Sequence, residues 1–396
     1  MYLLHLKFRK NLYKSYIKSR KQINFHEVLF VYSIFDINVN IKLMSTQDIA
    51  AHNLLNKKLK NEWTVVEKLE PKDGSTGGFF SVCYIVESVG QKAFLKALNF
   101  NAFFQMFPGQ SIVRVLQEQT SAFEFEKELL LKCKNNKLTK VSMIIDEGEE
   151  IIGGFAIPNV PYLIFEMAEG DIRSNMKFSE NVDIAWKTKS LHDVAVGLDQ
   201  LHSIEIAHQD LKPSNILLYN SSSISKIGDL GRSLCSTIPA PHDDGFSFTG
   251  QINYSPPEFL YGYVQPNWHK RVKSTDMYLF GSLVTYYFLG INMTALISKH
   301  LDVRFRWTSF SGTFEEVEDY LVDAYSKCIE EITSELGRKE FAKDLVEIIE
   351  YCCYPIPEKR GHRKSILGIG NQFSYRRIVS RLDLIKRKAE LKVYKS

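Results

Sequence analysis

The sequence has none of the cysteine patterns that indicate a secreted or metal-bound protein. Its six cysteines form no CxxC pair, and no His/Cys group has the spacing of metal ligands. We expect no secretory leader, because the apolar run at 28–35 lies too far into the chain and no small-residue cleavage site follows it. Internal repeats and long linkers are also missing. A reduced, cytoplasmic protein with free thiols is therefore expected.

Charge is absent from residues 277–297, a run about as long as a bilayer-spanning helix. However, Ser282, Thr285 and Asn292 dilute its apolar character. A helix that is apolar all round is also typical of the centre of a large helical lobe. We therefore expect a buried helix here and no transmembrane segment.

The net charge of +4 is distributed unevenly along the chain. Residues 1–43 carry about +6 and residues 359–396 about +10, so the middle is near −12. Basic ends can attract an anionic partner, or they can be solvated helix faces. An anionic partner at the C-terminal helix is thus an alternative to internal packing. Internal packing is favoured by an apolar stripe at three- and four-residue spacing. The stripe consists of Tyr375, Ile378, Val379, Leu382 and Ile385.

The periodicity of apolar residues changes from strand-like to helical along the chain. Short β-branched and aromatic runs predict strands at 63–69, 79–86, 92–98, 141–146 and 161–167. The helical period predicts helices at 120–134, 188–204, 314–335, 339–353 and 373–392. The expected fold class is therefore α+β, with a small β-rich N-terminal lobe and a larger α-helical C-terminal lobe.

These boundaries divide the chain into four segments. They are a basic N-terminal extension at 1–43, a helical lead-in at 44–60, the small lobe and hinge at 61–167, and the large lobe with its basic C-terminal helix at 168–396. Met44 precedes Ser45 and Asp48, which resemble a capped helix start. Translation from Met44 is therefore an alternative to a translated extension.

The stretch HQDLKPSNILL (208–218) contains an acid, a lysine and an amide at a spacing that suits phosphoryl transfer. It forms a loop between an amphipathic helix and a strand-like run. Phosphoryl transfer requires an oriented nucleophile, a cation near the transferring phosphate, and metal ligands. Asp210 can orient a substrate hydroxyl and accept its proton, Lys212 can neutralise the γ-phosphate, and Asn215 can hold magnesium. The stretch resembles the protein-kinase catalytic loop, in which an Asn follows the Asp by five residues.

A second acid and an upstream lysine extend this resemblance. Asp229 ends an apolar strand in Asp-Leu-Gly, which is similar to the family's Asp-Phe-Gly and implies a magnesium ligand. Lys96 lies in an apolar run, where an ammonium needs an anion. The resemblance implies that Lys96 binds the phosphates of ATP and pairs with a glutamate on the next helix. Glu126 fits that position, whereas Glu124 and Glu128 are expected to make surface charge pairs.

The glycine-rich loop is the weakest part of the resemblance. The family pattern is met in part by residues 75–82, in which Gly77 lands on an expected glycine and Gly78 lies beside it. The resemblance implies that these glycines contact the nucleotide, together with Val82 and Leu217. Residues 100–119 are expected to be an insertion.

The nucleotide-facing strand and hinge also resemble those of protein kinases. Phe94 stands two residues before Lys96, where the family prefers alanine, unless Ala93 indicates a one-residue offset. In PYLIFEMAEGD (161–171), the resemblance implies a gatekeeper at Phe165. It also implies that the backbone of Glu166, Met167 and Ala168 faces adenine.

Three residues of the predicted large lobe resemble the family's structural anchors. Glu258, in Tyr-Ser-Pro-Pro-Glu, stands at the end of an activation segment, and Arg360 is the implied buried partner. Asp276 stands where the family anchors the catalytic loop. Two departures also occur. Gln209 replaces an arginine that many kinases have before the catalytic aspartate, and Gln251 replaces a threonine that is usual in Ser/Thr kinases.

The resemblance to the protein kinase superfamily covers about 61–392. It implies an active Ser/Thr protein kinase, with ATP and Mg²⁺ as cofactors and a protein as substrate. One alternative is a pseudokinase that acts as a nucleotide- or partner-binding module. A second is a small-molecule kinase, although that class lacks the Lys-Pro pair after the loop aspartate.

Overall fold

The computed structural model describes residues 49–70, 80–100, 102, 110–177, 183–337, 341–368 and 370–393. The predictions for the N-terminal extension and for the glycine loop at 71–79, including Gly77 and Gly78, lie outside the described residues. Of the predicted lead-in, residues 49–60 are described, and they contain a short 3-10 helix, Ala50–His52.

Within the described ranges, the small lobe is built on a five-stranded antiparallel sheet with the order β1-β2-β3-β5-β4. The strands are β1 (Thr64–Leu69), β2 (Ser81–Ser88), β3 (Gln91–Leu98), β4 (Ile144–Ile151) and β5 (Asn159–Glu166). Helix α1 (Ile112–Asn135) connects β3 to β4. It begins at Ile112 rather than at the predicted 120, because part of the expected insertion continues the amphipathic pattern and buries Val115.

The two faces of this sheet have different neighbours, because side chains alternate along a strand. Ala93, Leu95 and Ala97 of β3 are fully buried and pack with the lead-in residues on one face. Phe94 and Lys96 are half-buried and lie on the opposite face. That second face is the one that carries the candidate site.

The large lobe is mostly helical. Its helices are α2 (Ile172–Lys177), α3 (Ile184–Ser203), α4 (Pro257–Leu260), α5 (Trp268–Leu289), α6 (Met293–His300), α7 (Phe314–Leu336), α8 (Ala342–Cys352), α9 (Arg363–Ile366) and α10 (Arg376–Val393). Short strands lie near the junction of the lobes. They are β6 (Gly170–Asp171), β7 (Ile206–Ala207), β8 (Ile216–Tyr219), β9 (Ile224–Ile227) and β10 (Leu234–Cys235). The predicted α+β, two-lobed fold is confirmed.

The uncharged run at 277–297 is divided between two helices. α5 ends at Gly290, whose φ of 74° favours glycine, and the Asn292 side chain caps α6 by accepting the Ala295 N–H. Nearly all of α5 after Val272 is buried, as expected for a central helix. In the described ranges, no single helix has the length and apolarity to cross a membrane, although α5 and α6, bent by 79°, pass that test as a pair.

Helix α5 contacts α8 closely at a glycine. A side chain at Gly281 would collide with Cys352 and Cys353, both fully buried. Cys328 of α7 is also fully buried in the same apolar core. All six cysteines are free thiols.

The C-terminal helix α10 docks against α3. Tyr375, Ile378, Leu382 and Ile385 are at most 1% exposed, and Val379 is partly buried, so the predicted apolar stripe packs against the core. Arg381 on the basic face makes an ion pair of 2.5 Å with a glutamate of α8. The structure therefore gives α10 an internal packing role.

Candidate active site

Asp210 lies at the centre of the predicted catalytic loop, between β7 and β8, and is 5% exposed. Its Oδ2 accepts hydrogen bonds from Lys212 Nζ at 2.7 Å and from Asn215 Nδ2 at 3.2 Å. Its Oδ1 accepts the backbone N–H of Gln251 at 2.8 Å. Because both oxygens have donors, the carboxylate is held in one orientation. The structure thus brings Asp210, Lys212 and Asn215 together.

Asp276 of α5 is fully buried and binds the backbone of the catalytic loop. One of its oxygens accepts the backbone N–H of His208, and the other accepts that of Gln209, both at 2.8 Å. The ring of His202 lies 2.8 Å from the first oxygen, and Nε2 of Gln209 donates to the second at 2.9 Å. A buried carboxylate is tolerated when it is satisfied in this way. These bonds stabilise Gln209 at a φ of 62°, next to Asp210.

Asp229 follows β9 in the left-handed region, with a φ of 61°. Its Oδ1 lies 3.7 Å from Nζ of Lys96. The side chain is 47% exposed at the surface of the cleft. Burial raises the pKa of Asp229, but Lys96 and then Lys212 outweigh it and lower the pKa to about 2. The carboxylate is therefore ionised and accessible from the cleft.

Lys96 and Glu126 form an ion pair between the sheet and α1. Nζ of Lys96 lies 2.8 Å from Oε1 and 3.0 Å from Oε2 of Glu126, which is 8% exposed. Burial lowers the pKa of Lys96, but Glu126 and Asp229 raise it above its ordinary value, so the ammonium stays charged. Glu124, by contrast, pairs with Lys127 on the helix surface at 2.6 Å.

Val82 does not approach Lys96. Across β2 and β3, Cys83 is the direct partner of Lys96, and Ile85 is the partner of Phe94. Val82 therefore points to the other face of the sheet, where it is 5% exposed in the small-lobe core. Counting from the glycine-rich loop places Val82 at the nucleotide. That loop has few of the family's glycines, so the count does not fix the register of β2 against β3. Ile85 is the apolar β2 residue on the site's face.

Phe94 lies on the same face as Lys96, so the alternative of a one-residue offset at Ala93 is not what the structure shows. The ring of Phe94 is 6.4 Å from that of Phe165, its direct partner on β5. Ile85, Phe94 and Phe165 thus form one apolar row across three strands. The row lies next to Lys96, on the side towards the hinge.

Glu166, in the predicted hinge, is the strand partner of Ala93, so its side chain lies on the face of the sheet opposite Phe94 and Lys96. Both oxygens of Glu166 lie 2.7 Å from Nζ of Lys226 on β9, and one also accepts the backbone N–H of Met143 at 2.8 Å. Met167 follows at 38% exposure. Leu217 of β8 is half-buried. The pairing of Glu166 with Lys226 joins the two lobes and was not predicted from the sequence.

The residue at the end of the activation segment makes a buried ion pair. Glu258 and Arg360 are 2% and 0% exposed and are joined by two bonds of 2.9 Å. Arg360 also donates to the carbonyls of Ser274, Tyr354 and Pro355. This pair was predicted, and it fixes α4 to the loop after α8.

Two lobes, a lysine–glutamate pair between sheet and helix, and a loop with Asp210, Lys212 and Asn215 define a protein-kinase-like domain. Residues 112–368 match the family model described as protein kinase domain. The chain belongs to the protein kinase domain family.

Similarity to curated proteins is lower and partial. The chain is 26% identical to ribosomal protein S6 kinase alpha-1 of Mus musculus, over 57% of this chain and 34% of that protein. It is 32% identical to cyclin-dependent kinase-like 2 of Homo sapiens, over 33% of this chain and 25% of that protein. It is 34% identical to an Aurora kinase of Debaryomyces hansenii, over 25% of this chain and 24% of that protein. The chain spans about a third or less of the length of these relatives.

Proposed function

We propose that this chain is an active protein kinase that transfers the γ-phosphoryl group of ATP to serine or threonine hydroxyls of a protein. The observation that carries this proposal is the Lys96–Glu126 ion pair at 2.8 Å, because the same ammonium lies 3.7 Å from Asp229. A pseudokinase has no need to keep three such groups paired, charged and directed at one cleft. Asp210 and Lys212 form a second polar group at the same cleft.

Each catalytic role follows from the hydrogen bonds around Asp210. The N–H of Gln251 and the ammonium of Lys212 fix its carboxylate. A substrate hydroxyl placed beside that carboxylate would be oriented for attack and would give up its proton there. Lys212 would turn to the transferring phosphoryl group, where its charge offsets the developing negative charge.

The donor set suits magnesium. Asp229 presents a half-exposed carboxylate. The amide nitrogen of Asn215 donates to Asp210, and its carbonyl oxygen accepts one long bond, 3.4 Å, from the Ser214 hydroxyl, which leaves a lone pair for a cation. In the described ranges no group of three His, Cys, Asp or Glu side chains could hold a metal. Magnesium typically takes one or two protein oxygens and completes its shell with phosphates and water. When bound, it neutralises charge on the β- and γ-phosphates.

For the nucleotide, we propose contacts with the Lys96 ammonium, the Leu217 side chain and the backbone at Glu166–Met167. Ile85 takes the place that the motif spacing had given to Val82. Gly77 and Gly78 remain proposed phosphate contacts. For the chain as a whole, we propose the division into segments at 43, 60 and 167, and a cytoplasmic location, where free thiols and ATP are both present.

Incubation of the purified chain with labelled Mg-ATP and casein tests the proposal. Phosphate should appear on serine or threonine, as located by mass spectrometry, and Asp210→Asn should abolish it. Transfer to a metabolite but not to protein would favour the small-molecule kinase alternative. Label on tyrosine alone would contradict the Ser/Thr assignment.

The row formed by Ile85, Phe94 and Phe165 favours a second candidate function, nucleotide or partner binding without transfer. A nucleotide whose phosphates lie at Lys96 must place its base on the hinge side, where two phenyl rings reduce the space. If the wild-type chain neither binds nor turns over ATP while Phe94→Ala binds it, partner binding is favoured, whereas binding of ATP without turnover favours nucleotide binding. Turnover by the wild type removes both.

A further inference from the structure

The residue directly before the catalytic aspartate, from which an arginine could reach a phosphate on the activation segment (residues 229–258), is the neutral Gln209. Gln209 is 2% exposed. Its Nε2 donates to the carbonyl of Val272 at 2.9 Å and to Oδ1 of Asp276 at 2.9 Å, so both amide hydrogens are used. A neutral, fully engaged side chain cannot pair with a phosphoryl group.

Most hydroxyls of the segment are engaged in its own structure. Ser233 and Thr249 are 0% and 4% exposed, and Thr249 donates to the carbonyl of Arg232 at 3.0 Å. The hydroxyl of Ser247 donates to Asp244 at 2.8 Å. The segment is therefore ordered by contacts that precede any modification.

Asp243 and Asp244 lie in an acidic turn, which supplies the negative charge that a phosphoryl group on the segment would otherwise supply. Oδ1 of Asp244 accepts the backbone N–H of Phe246 at 2.8 Å and of Ser247 at 2.7 Å. Gly245 permits this turn, because its φ of 77° is unfavourable for other residues. The turn projects Asp243 and the carbonyl of Gly245 towards α5.

Arg271, in the first turn of α5, binds both groups. Its Nη1 donates to the carbonyl of Gly245 at 2.6 Å, and its Nη2 lies 3.5 Å from Oδ2 of Asp243. The two charged side chains are 12% and 21% exposed, so water screens this pair less than a surface pair. A guanidinium makes such two-point contacts better than an ammonium does.

Helix α5 therefore holds two parts of the site at once. Arg271 binds the activation segment, and five residues later Asp276 binds the catalytic loop through His208 and Gln209. Five residues along a helix span about 7.5 Å, which is a fixed separation. Helix α5 thus adds a second, rigid link between the segment and the catalytic loop, beside the direct bond from the Gln251 N–H to Asp210 at 2.8 Å.

We infer that Arg271 is a positioning residue, which holds the activation segment through Asp243 and Gly245 in place of a phosphoryl group. The inference rests on the proposed function and names its regulation: transfer needs no phosphorylation of the segment.

The test compares Arg271→Gln, Arg271→Lys and wild type, all treated with phosphatase, with ATP and casein as substrates. Arg271→Gln should lower kcat about 10-fold to 100-fold, while the KM for ATP and the melting temperature stay unchanged. Arg271→Lys keeps the charge and should restore part of the rate. The exchange of Arg271 and Asp243 (Arg271→Asp with Asp243→Arg) should also recover activity relative to Arg271→Asp alone. Arg304→Gln is the matched control, because Arg304 pairs with Asp302 on the exposed surface at 2.8 Å.

Hydrogen exchange of residues 233–250 separates this inference from the proposed function. In Arg271→Gln their amides should exchange faster, whether or not the chain transfers phosphate. If wild type transfers nothing but this acceleration occurs, the proposed function fails and the ordering role stands. The inference is overturned if Arg271→Gln keeps wild-type turnover and exchange, or if phosphatase removes the activity of the wild type.

Discussion

Glu258 and Arg360 are 102 residues apart in sequence, yet they meet as a two-bond ion pair from which water is excluded. The guanidinium also donates to three backbone carbonyls, and it lies over the ring of Tyr278, 5.0 Å from its centroid. Burial of the pair costs free energy, but removal of one partner leaves the other charge unpaired in the core.

Arg360→Met should therefore destabilise the large lobe by about 3–5 kcal/mol. Urea unfolding followed by circular dichroism gives the free energy of unfolding. Arg363→Met is the control, because Arg363 is exposed and lies 4.0 Å from its nearest carboxylate. A change below 1 kcal/mol for Arg360→Met would mean that the pair contributes little.

Asp210→Asn and Asp229→Asn should each reduce phosphotransfer by orders of magnitude, because one loses the proton acceptor and the other a magnesium ligand. Folding should be intact, as the amide keeps the shape of each side chain. Labelled-ATP assays at saturating magnesium measure the rate. Near wild-type activity in either variant would refute the proposed role of that residue.

Lys96→Met should weaken productive ATP binding. It should also break the ion pair with Glu126 that joins α1 to the sheet. Glu126→Gln should produce a smaller loss, because the amide still accepts a hydrogen bond from the ammonium. Rate against ATP concentration for the two variants gives kcat and KM. Glu124→Gln serves as the control, since Glu124 pairs with Lys127 on the surface. Equal rates for the three variants would exclude a role for the Lys96–Glu126 pair.

Asp193 should make the stability of the chain depend on acid pH. Burial raises its pKa, but hydrogen bonds from His192, Lys140 and the Ser225 backbone lower it to about 2. Because the folded pKa lies below the ordinary value of about 4, the stabilisation is present above pH 4 and is lost as the pH falls towards 2. Its full size is about 2 kcal/mol. Urea unfolding of wild type and Asp193→Asn should show a difference at pH 6 that shrinks by pH 3, and a constant difference would contradict the shift.

Leu382→Asp should lower the melting temperature strongly, because Leu382 is fully buried between α10 and α3. An unpaired carboxylate at that position costs several kcal/mol or forces the helix off. Arg376→Gln is the control, since Arg376 is exposed. If Leu382→Asp melts like the wild type, α10 is not docked in solution and the anionic-partner alternative regains weight.

The parts of the site that come from one contiguous stretch could be predicted from the sequence. Asp210, Lys212 and Asn215 are fixed relative to one another by five residues of loop, so the spacing alone brings them together. Glu126 could be chosen among three glutamates, because the family pattern places two residues between this glutamate and an apolar pair, which Leu129 and Leu130 supply. The docking of α10 followed from its helical periodicity.

Strand register and long-range pairing could not be predicted. Val82 and Ile85 differ by three positions, and an odd shift reverses the face of every side chain in a strand. The contact between Arg271 and Asp243 depends on how a turn meets a helix, and neither residue belongs to a motif. The Glu166–Lys226 pair likewise needs the hinge and β9 to be adjacent in space.

The close approach of Gly281 to Cys352 and Cys353 gives the protein an internal reporter. Their two thiols and that of Cys328 are sealed in the large-lobe core, whereas Cys83 lies half-exposed on the small lobe. Alkylating reagents reach a sealed sulfur only when its surroundings open. The labelling rates of the three sealed cysteines, read by mass spectrometry against the accessible Cys83 as a reference, would therefore report the opening of the large-lobe core without any introduced probe.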